Sequence, residues 1–222
     1  MSKIKIAPSI FAANFLNLGE EIDRLEKLGV DYIHYDIMDN HFVPNISFGP
    51  LVVETISRST SIKGDVHLMI DLSKDVVSRF FVKGIEIITV HIEADGFSRE
   101  LCEFIKGSGF RLGLAIKPKT EVEAVIPYLD MVDMVLVMTV EPGFSGQKLI
   151  QETIPKVRKV RDLISSLGRE VEIEVDGGVN IDNAGELVEN GANVLVMGSF
   201  FFSGNNGEKV VSFLRGIHEK VS

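Results

Sequence analysis

The sequence predicts an α/β fold of the (β/α)8-barrel (TIM-barrel) class, and three observations predict it. Eight short apolar or β-branched runs alternate with segments of helical periodicity. Their spacing is even along all 222 residues. Polar residues inside the runs collect at one end of them. Each strand–helix crossover returns the chain to the same end, so the strands should run parallel. An open doubly wound sheet is the alternative, and the count of eight favours closure. No Pro/Gly/Ser-rich linker or low-complexity segment interrupts the series, so residues 1–222 read as one domain.

Taken in order, the strands are expected at 5–9, 32–36, 65–69, 87–91, 112–116, 134–139, 172–176 and 194–198. The first helix carries the apolar stripe Leu18, Ile22, Leu25 and Leu28. The sixth carries Ile154, Val157, Val160, Ile164 and Leu167. Gly29, Gly84 and Gly191 are placed to end the first, third and seventh helices as left-handed caps.

Composition bounds the function. Apolar residues are 45% and charged residues 25% of the chain, with ample material for a core. The net charge of −9 argues against nucleic acid as a partner, although backbone N–H groups in a local pocket can still hold one phosphate. The single cysteine, Cys102, permits no intrachain disulfide and fits a reducing compartment. The start, Met1 to Lys5, carries no apolar stretch of signal-peptide type, and the longest apolar-rich run, near 193–202, is too short to span a bilayer. A cytoplasmic protein with no membrane partner is expected.

In such a barrel, chemistry sits at the C-terminal strand ends. Strand 2 closes with His34 and Asp36, strand 3 with His67, strand 4 with His91 and Glu93, and strand 7 with Asp176 before Gly177 and Gly178. A period of two puts His34 and Asp36 on one face, and His67 and Asp176 can face the same axis. Two imidazoles and two carboxylates suit zinc, ferrous iron, manganese or cobalt better than calcium or magnesium. Singly, each group also fits a plain role: a hydrogen-bonded core histidine, or a turn aspartate before glycine. Their coincidence at strand ends is what points to a metal. His91 and Glu93 read as supporting or structural groups rather than ligands. Glu172 and Glu174 share the face of Asp176, and a carboxylate inside the barrel needs a partner that the sequence does not name.

Three successive loops are glycine-rich: Gly143, Phe144, Ser145 and Gly146 in loop 6, Gly177 and Gly178 in loop 7, and Gly198 with Ser199 in loop 8. Glycine lets backbone N–H groups approach phosphate oxygens, and loops 7 and 8 are the usual phosphate position. Loop 6 reads either as a moving lid or as a rigid turn.

The strings Ala7-Pro8-Ser9-Ile10, His34-Tyr35-Asp36-Ile37-Met38-Asp39, His41-Phe42-Val43-Pro44-Asn45, Asp65-Val66-His67-Leu68-Met69, Glu141-Pro142-Gly143-Phe144-Ser145-Gly146-Gln147 and Glu174-Val175-Asp176-Gly177-Gly178 are specific in combination. Along nearly its full length the chain resembles the ribulose-phosphate 3-epimerase family, barrels of the ribulose-phosphate-binding type. The resemblance implies one divalent metal per subunit on His34, Asp36, His67 and Asp176, with Asp36 and Asp176 as the acid/base pair. It implies substrate contacts from Ser9, His67, Gly143, Phe144, Ser145, Gly146, Asp176, Gly177, Gly178, Gly198 and Ser199. It also implies a pocket wall of Met38, Met69 and Met138, residues that would otherwise read as plain core. The substrate implied is a small phosphorylated ketose, D-ribulose 5-phosphate, epimerised at carbon 3, and the assembly implied is a homo-oligomer, dimer or hexamer. Asn40 stands where the family usually has glycine, and Ser145 where it often does; Asn tolerates a left-handed backbone better than most residues.

Two related chemistries compete. An epimerase for a six-carbon ketose phosphate such as allulose 6-phosphate would share the metal and aspartates. Decarboxylases and aldolases of the wider barrel group typically carry an Asp-x-Lys-x-x-Asp string, and strand 3 here has no lysine inside. A silent scaffold barrel would have no need of charged groups facing one another.

Overall fold

The computed structural model describes residues 3–166 and 168–221, with side chains through residue 216. Eight parallel strands form one sheet: β1 (Lys5–Pro8), β2 (Tyr32–Met38), β3 (Lys63–Met69), β4 (Ile85–His91), β5 (Arg111–Ile116), β6 (Met134–Met138), β7 (Glu172–Asp176) and β8 (Val194–Met197). From β2 to β8 each strand pairs with its sequence neighbour, and β1 pairs with β8. The Ser9–His34 bridge and the Asp31 N–H to Ile6 carbonyl bond (3.0 Å) join β1 to β2 and bring the barrel nearly to closure.

The crossovers are α1 (Leu18–Leu28), α2 (Pro50–Ser59), α3 (Lys74–Ser78), α4 (Arg99–Gly107), α5 (Ile154–Ser165) and α6 (Ile181–Glu189); a short α7 (Ser199–Phe202) precedes α8 (Asn206–Val221). Ile22 and Leu25 of the first stripe are buried, as are Ile154, Val157, Val160 and Ile164 of the other; Leu167 lies outside the described residues. The crossover between β5 and β6 departs from the expected helix. It is a 3-10 segment, Val122–Tyr128, with Pro127 inside, and proline cannot donate the bond an α-helix needs there.

The expected stops divide. Gly29 is the left-handed C-cap of α1 at φ 65°, and Gly191 (φ 109°) follows Asn190, the cap of α6. Gly84 caps nothing: α3 ends at Ser78 with Arg79 as its cap, and Gly84 (φ 98°) lies at the entrance to β4. Asn40, at φ 62°, does adopt the left-handed conformation its side chain tolerates.

The barrel interior is layered. At the N-terminal end, Lys5, Tyr32, Glu86, Arg111 and Glu172 interlock. Above them lies an apolar layer that includes Ala7, Ile87, Met134, Val194 and Val196. Then come fully buried polar residues, His34, Asp65, His67, Thr89, His91 and Glu174, on strands β2, β3, β4 and β7. They support the C-terminal mouth.

Candidate active site

Pairing register places the polar groups. His34 stands opposite Asp65 and Asp36 opposite His67 across β2 and β3, while Asp176 ends β7. His34, Asp36, His67 and Asp176 each offer a donor atom, and these atoms lie within 4.8 Å of one another. His34 Nε2 is 3.4 Å from Asp36 Oδ1; His67 Nδ1 is 3.1 Å from the same oxygen and 3.8 Å from Asp176 Oδ2. The four residues brought together are the four expected at the strand ends.

The histidines are aimed from behind. His34 Nδ1 lies 2.7 Å from Asp65 Oδ2. A carboxylate only accepts, so Nδ1 carries a proton and Nε2 is the ring nitrogen turned toward the cluster. That Nε2 is buried and has no hydrogen-bond partner among the described residues. A buried ring nitrogen with no partner among the described residues, turned toward two aspartates, fits a ligand of a divalent transition metal, as does the mixed N/O set. His67 makes its other contact, 2.8 Å, with His91. The sequence named no partner for either ring: it marked His91 as a supporting group without saying what it supports, and it missed Asp65, although Asp65 shares a strand face with His67 at i, i+2.

Electrostatics divide the two aspartates. Burial opposes ionisation of Asp36, but the His34 ring beside it and the contact with His67 Nδ1 (3.1 Å) outweigh that and hold its pKa well below the usual carboxylate range. Asp176 is pushed up to about 6 by burial and then by the charge of Asp36. The pair therefore favours one ionised and one protonated carboxyl. Burial also opposes charging His34, yet Asp36 and Asp65 raise its pKa well above the ordinary value. Without a metal, a proton there answers part of the negative charge. Ser9 Oγ donates to Asp36 Oδ2 at 2.5 Å. Glu174, fully buried, faces His34 at 3.7 Å; burial, then the charge of Asp65, raises its pKa well above the ordinary value, so it is a neutral acid. Neither Glu174 oxygen has a hydrogen-bond partner among the described residues, so the burial is eased by the loss of charge rather than by a partner.

Above the cluster opens a pocket of about 200 Å³. Ser9, Asp36 and Asp176 are at its floor; Met38, Met69 and Met138 line it; Gly143, Phe144, Ser145 and Gly146 border it, as do Gly177, Gly178, Gly198 and Ser199. His34 and His67 are fully buried and are not among the lining residues. Lining residues that the sequence did not single out include Phe11, Val179, Asn180 and Phe200. The Gly177–Gly178 turn packs against loop 6 so closely that side chains there cannot fit: a Cβ on Gly177 (φ 122°) would lie 2.8 Å from Val140 N, and one on Gly178 (φ 67°) 2.4 Å from Leu149 N. The Thr139 N–H donates to the Asp176 carbonyl (2.7 Å) and its hydroxyl to the Gly177 carbonyl (2.6 Å), fixing the turn. Asn45 donates to the Gly143 carbonyl (2.8 Å), and Gln147 to those of Glu141 (2.7 Å) and Phe144 (3.0 Å), bracing loop 6.

Fold and site define a (β/α)8 barrel whose mouth holds two aspartates and two histidines converging beneath a glycine-bordered pocket. A model of the ribulose-phosphate 3 epimerase family matches residues 5–202. Ribulose-phosphate 3-epimerase from Bacillus subtilis is 43% identical over 214 residues, covering 96% of this chain and 99% of the relative. That of Escherichia coli K12 is 39% identical over 224 residues, covering 100% and 99%. The chain belongs to the ribulose-phosphate 3-epimerase family. Among solved structures, 3-hexulose-6-phosphate synthase from Salmonella typhimurium superposes with a TM-score of 0.73 at 17% identity, covering 98% of this chain and 99% of that one. At that identity the likeness bears on the fold alone. No helix among the described residues is long and apolar enough to cross a membrane.

Proposed function

We propose that this chain reversibly epimerises D-ribulose 5-phosphate at carbon 3 to D-xylulose 5-phosphate, by two aspartates acting on opposite faces of the carbon. The observation that carries the reading is the meeting of Asp36 and Asp176, from β2 and β7, at one point with their pKa values driven apart. Carbon 3 lies beside the ketone, so its proton can leave as an enediolate forms. Inversion requires removal from one face and return to the other. Asp36, held ionised, takes the proton from carbon 3; Asp176 gives its own proton to the far face; exchange with solvent restores the pair, and the roles exchange in the reverse direction.

Ser9 orients the Asp36 carboxylate through its short hydrogen bond. Met38, Met69 and Met138 present an apolar wall that excludes water from the reacting carbon. Gly177, Gly178, Gly198 and Ser199, with the 143–146 loop, hold the phosphate through backbone N–H groups and the Ser199 hydroxyl. His34, Asp36, His67 and Asp176 hold one divalent ion, zinc, ferrous iron, manganese or cobalt. When bound, the ion supplies Lewis-acid stabilisation of negative charge on the enediolate oxygens. The redox state is unchanged, so nicotinamide and flavin have no part in the reading.

Exposed Leu16, Ile46 and Leu51 support self-association, as dimer or hexamer, which light scattering reads directly. A cytoplasmic site of action accords with the single cysteine, which is buried and unpaired.

The test is turnover of ribulose 5-phosphate in heavy water, with allulose 6-phosphate assayed beside it. The expected product is xylulose 5-phosphate with deuterium at carbon 3. Unlabelled product would remove the two-base mechanism, and a higher kcat/KM on the six-carbon sugar would reassign the substrate.

A further inference from the structure

Behind His67 runs a chain of hydrogen bonds, buried at His91 and part-buried at Glu93, that the proposed chemistry does not use. His67 Nε2 faces His91 Nε2 at 2.8 Å, and His91 Nδ1 faces Glu93 Oε2 at 3.0 Å. The other oxygen of Glu93 accepts from the Lys117 N–H at 2.7 Å and from the Thr120 hydroxyl. The 117–120 turn that presents these donors is tied in turn by Lys156, whose ammonium donates to the carbonyls of Lys117 (2.9 Å), Pro118 (2.9 Å) and Thr120 (2.5 Å). Phe42 packs against the relay, with its ring centroid 4.7 Å from that of His91 and 3.7 Å from Lys117 Nζ. Asp39 fixes Phe42 by accepting the N–H groups of His41 (2.8 Å) and Phe42 (3.0 Å).

We propose that His91 and Glu93 are positioning residues that set the protonation of the His67 ring so that its Nδ1 lone pair is available to the cation. A backbone N–H can only donate, so Glu93 must meet Lys117 as an acceptor. An ionised carboxylate accepts at both oxygens, so His91 carries its proton on Nδ1. The 2.8 Å gap between the two Nε2 atoms has room for one proton. With the His91 Nδ1 proton committed to Glu93, a cation on His67 Nδ1 leaves the proton in that gap to His67 Nε2, which donates it to His91. His67 Nδ1, 3.1 Å from Asp36 Oδ1 and 3.8 Å from Asp176 Oδ2, is then the ring nitrogen at which a cation can take the place of a proton. A fixed peptide group thus reaches the ligand atom through two side chains, as outer partners of metal-binding histidines do elsewhere.

The inference rests on the cation-site reading above, and the experiment separates the two. Zinc affinity is measured by competition with a chromophoric chelator for the wild type, Glu93→Gln and His91→Phe, and histidine ¹⁵N NMR reads the ring protonation of His91. In Glu93→Gln, if the amide oxygen keeps Lys117, its NH2 meets His91 and reverses the relay. In His91→Phe the stacking ring remains and the acceptor is gone. The expected result is a loss of zinc affinity of about 10–100-fold in both variants at unchanged secondary structure. In the wild type, His91 should be protonated at Nδ1 with or without zinc, whereas free histidine prefers Nε2. Zinc affinities within threefold of wild type in both variants overturn the proposal, and so does a wild-type His91 protonated at Nε2. Should the wild type bind no zinc while His91 is protonated at Nδ1, the cation site fails and the relay's tautomer logic stands.

Discussion

The two ends of the barrel interior are both crowded with ionisable groups, and they are balanced in opposite ways. At the N-terminal end, Arg111 donates to Tyr32 and Glu86 at 3.0 Å and to Glu172 at 2.9 Å, and Lys5 bonds Tyr32 at 2.7 Å and pairs with Glu172. Two cations meet two anions there. At the C-terminal end, Asp36, Asp65, Glu174 and Asp176 gather around three histidines, and among the described residues no lysine or arginine pairs with any of the four acids. The first end is finished by the protein. The second keeps a proton on Glu174, raises Asp176 and His34, and leaves His34 Nε2 without a partner. A deficit of positive charge held in place suits the group to a cation and leaves carboxyl groups with separated pKa values. The plug is where stability is made, and the mouth is where it is given up for chemistry.

The largest test of that contrast is catalytic. Asp36→Asn and Asp176→Asn should each lower kcat by about a thousandfold or more with the circular dichroism unchanged. Near-normal turnover in both would leave the mouth without its proposed function. Chelation comes next. Stripping divalent ions should lower kcat by about a hundredfold or more and lower the apparent Tm, and zinc or cobalt should restore both. Restored Tm without restored kcat would make the ion structural.

Much of this arrangement is legible in the sequence because strand periodicity is exact. With His34 and Asp36 two apart, they must share a face, and Asp176 before Gly-Gly must end its strand. The glycines of loops 6 to 8 likewise announce close backbone approach. What is not legible depends on register between strands. Asp65 becomes the partner of His34 only because β2 and β3 pair so that the two stand opposite one another. His91 reaches His67 by a similar accident of neighbouring strands. Glu174 reads as a charge, and only complete burial beside Asp65 makes it neutral. The β5–β6 crossover and Gly84 mislead for a local reason: apolar spacing does not reveal that Pro127 tightens the backbone to a 3-10 turn or that α3 stops after Ser78.

A smaller effect separates the ends by stability alone. Arg111→Met removes the cation that Glu86 and Glu172 share. Arg111 keeps partial solvent access, with 31% of its side chain exposed, so the cost should be about 2–3 kcal/mol, below that of breaking a fully buried pair. Urea unfolding measures it, and kcat of the folded variant should stay within about twofold of wild type, because the change lies at the far end of the barrel from the reacting carbon. A variant as stable as the wild type would mean that the plug is ornamental.

The smallest effect has the opposite sign and isolates the cost of the unbalanced end. In the metal-free protein, Asp176 has its pKa raised from 3.8 to about 6. A carboxyl so raised holds its proton more tightly folded than unfolded. The stability linked to that proton is fully present below the unfolded value and is lost as pH rises through the folded one. Asparagine neither titrates nor repels Asp36. Metal-free Asp176→Asn should therefore exceed metal-free wild type by about 0.5–2 kcal/mol above roughly pH 7, and the gain should vanish near about pH 4. Saturating zinc should reverse the order, because the wild type then gains binding energy that the variant, one ligand short, gains less of. A gain that is the same at both pH values would mean that Asp176 titrates as an ordinary carboxyl. The mouth would then be as well balanced as the plug, and the division between the two ends would rest on geometry alone.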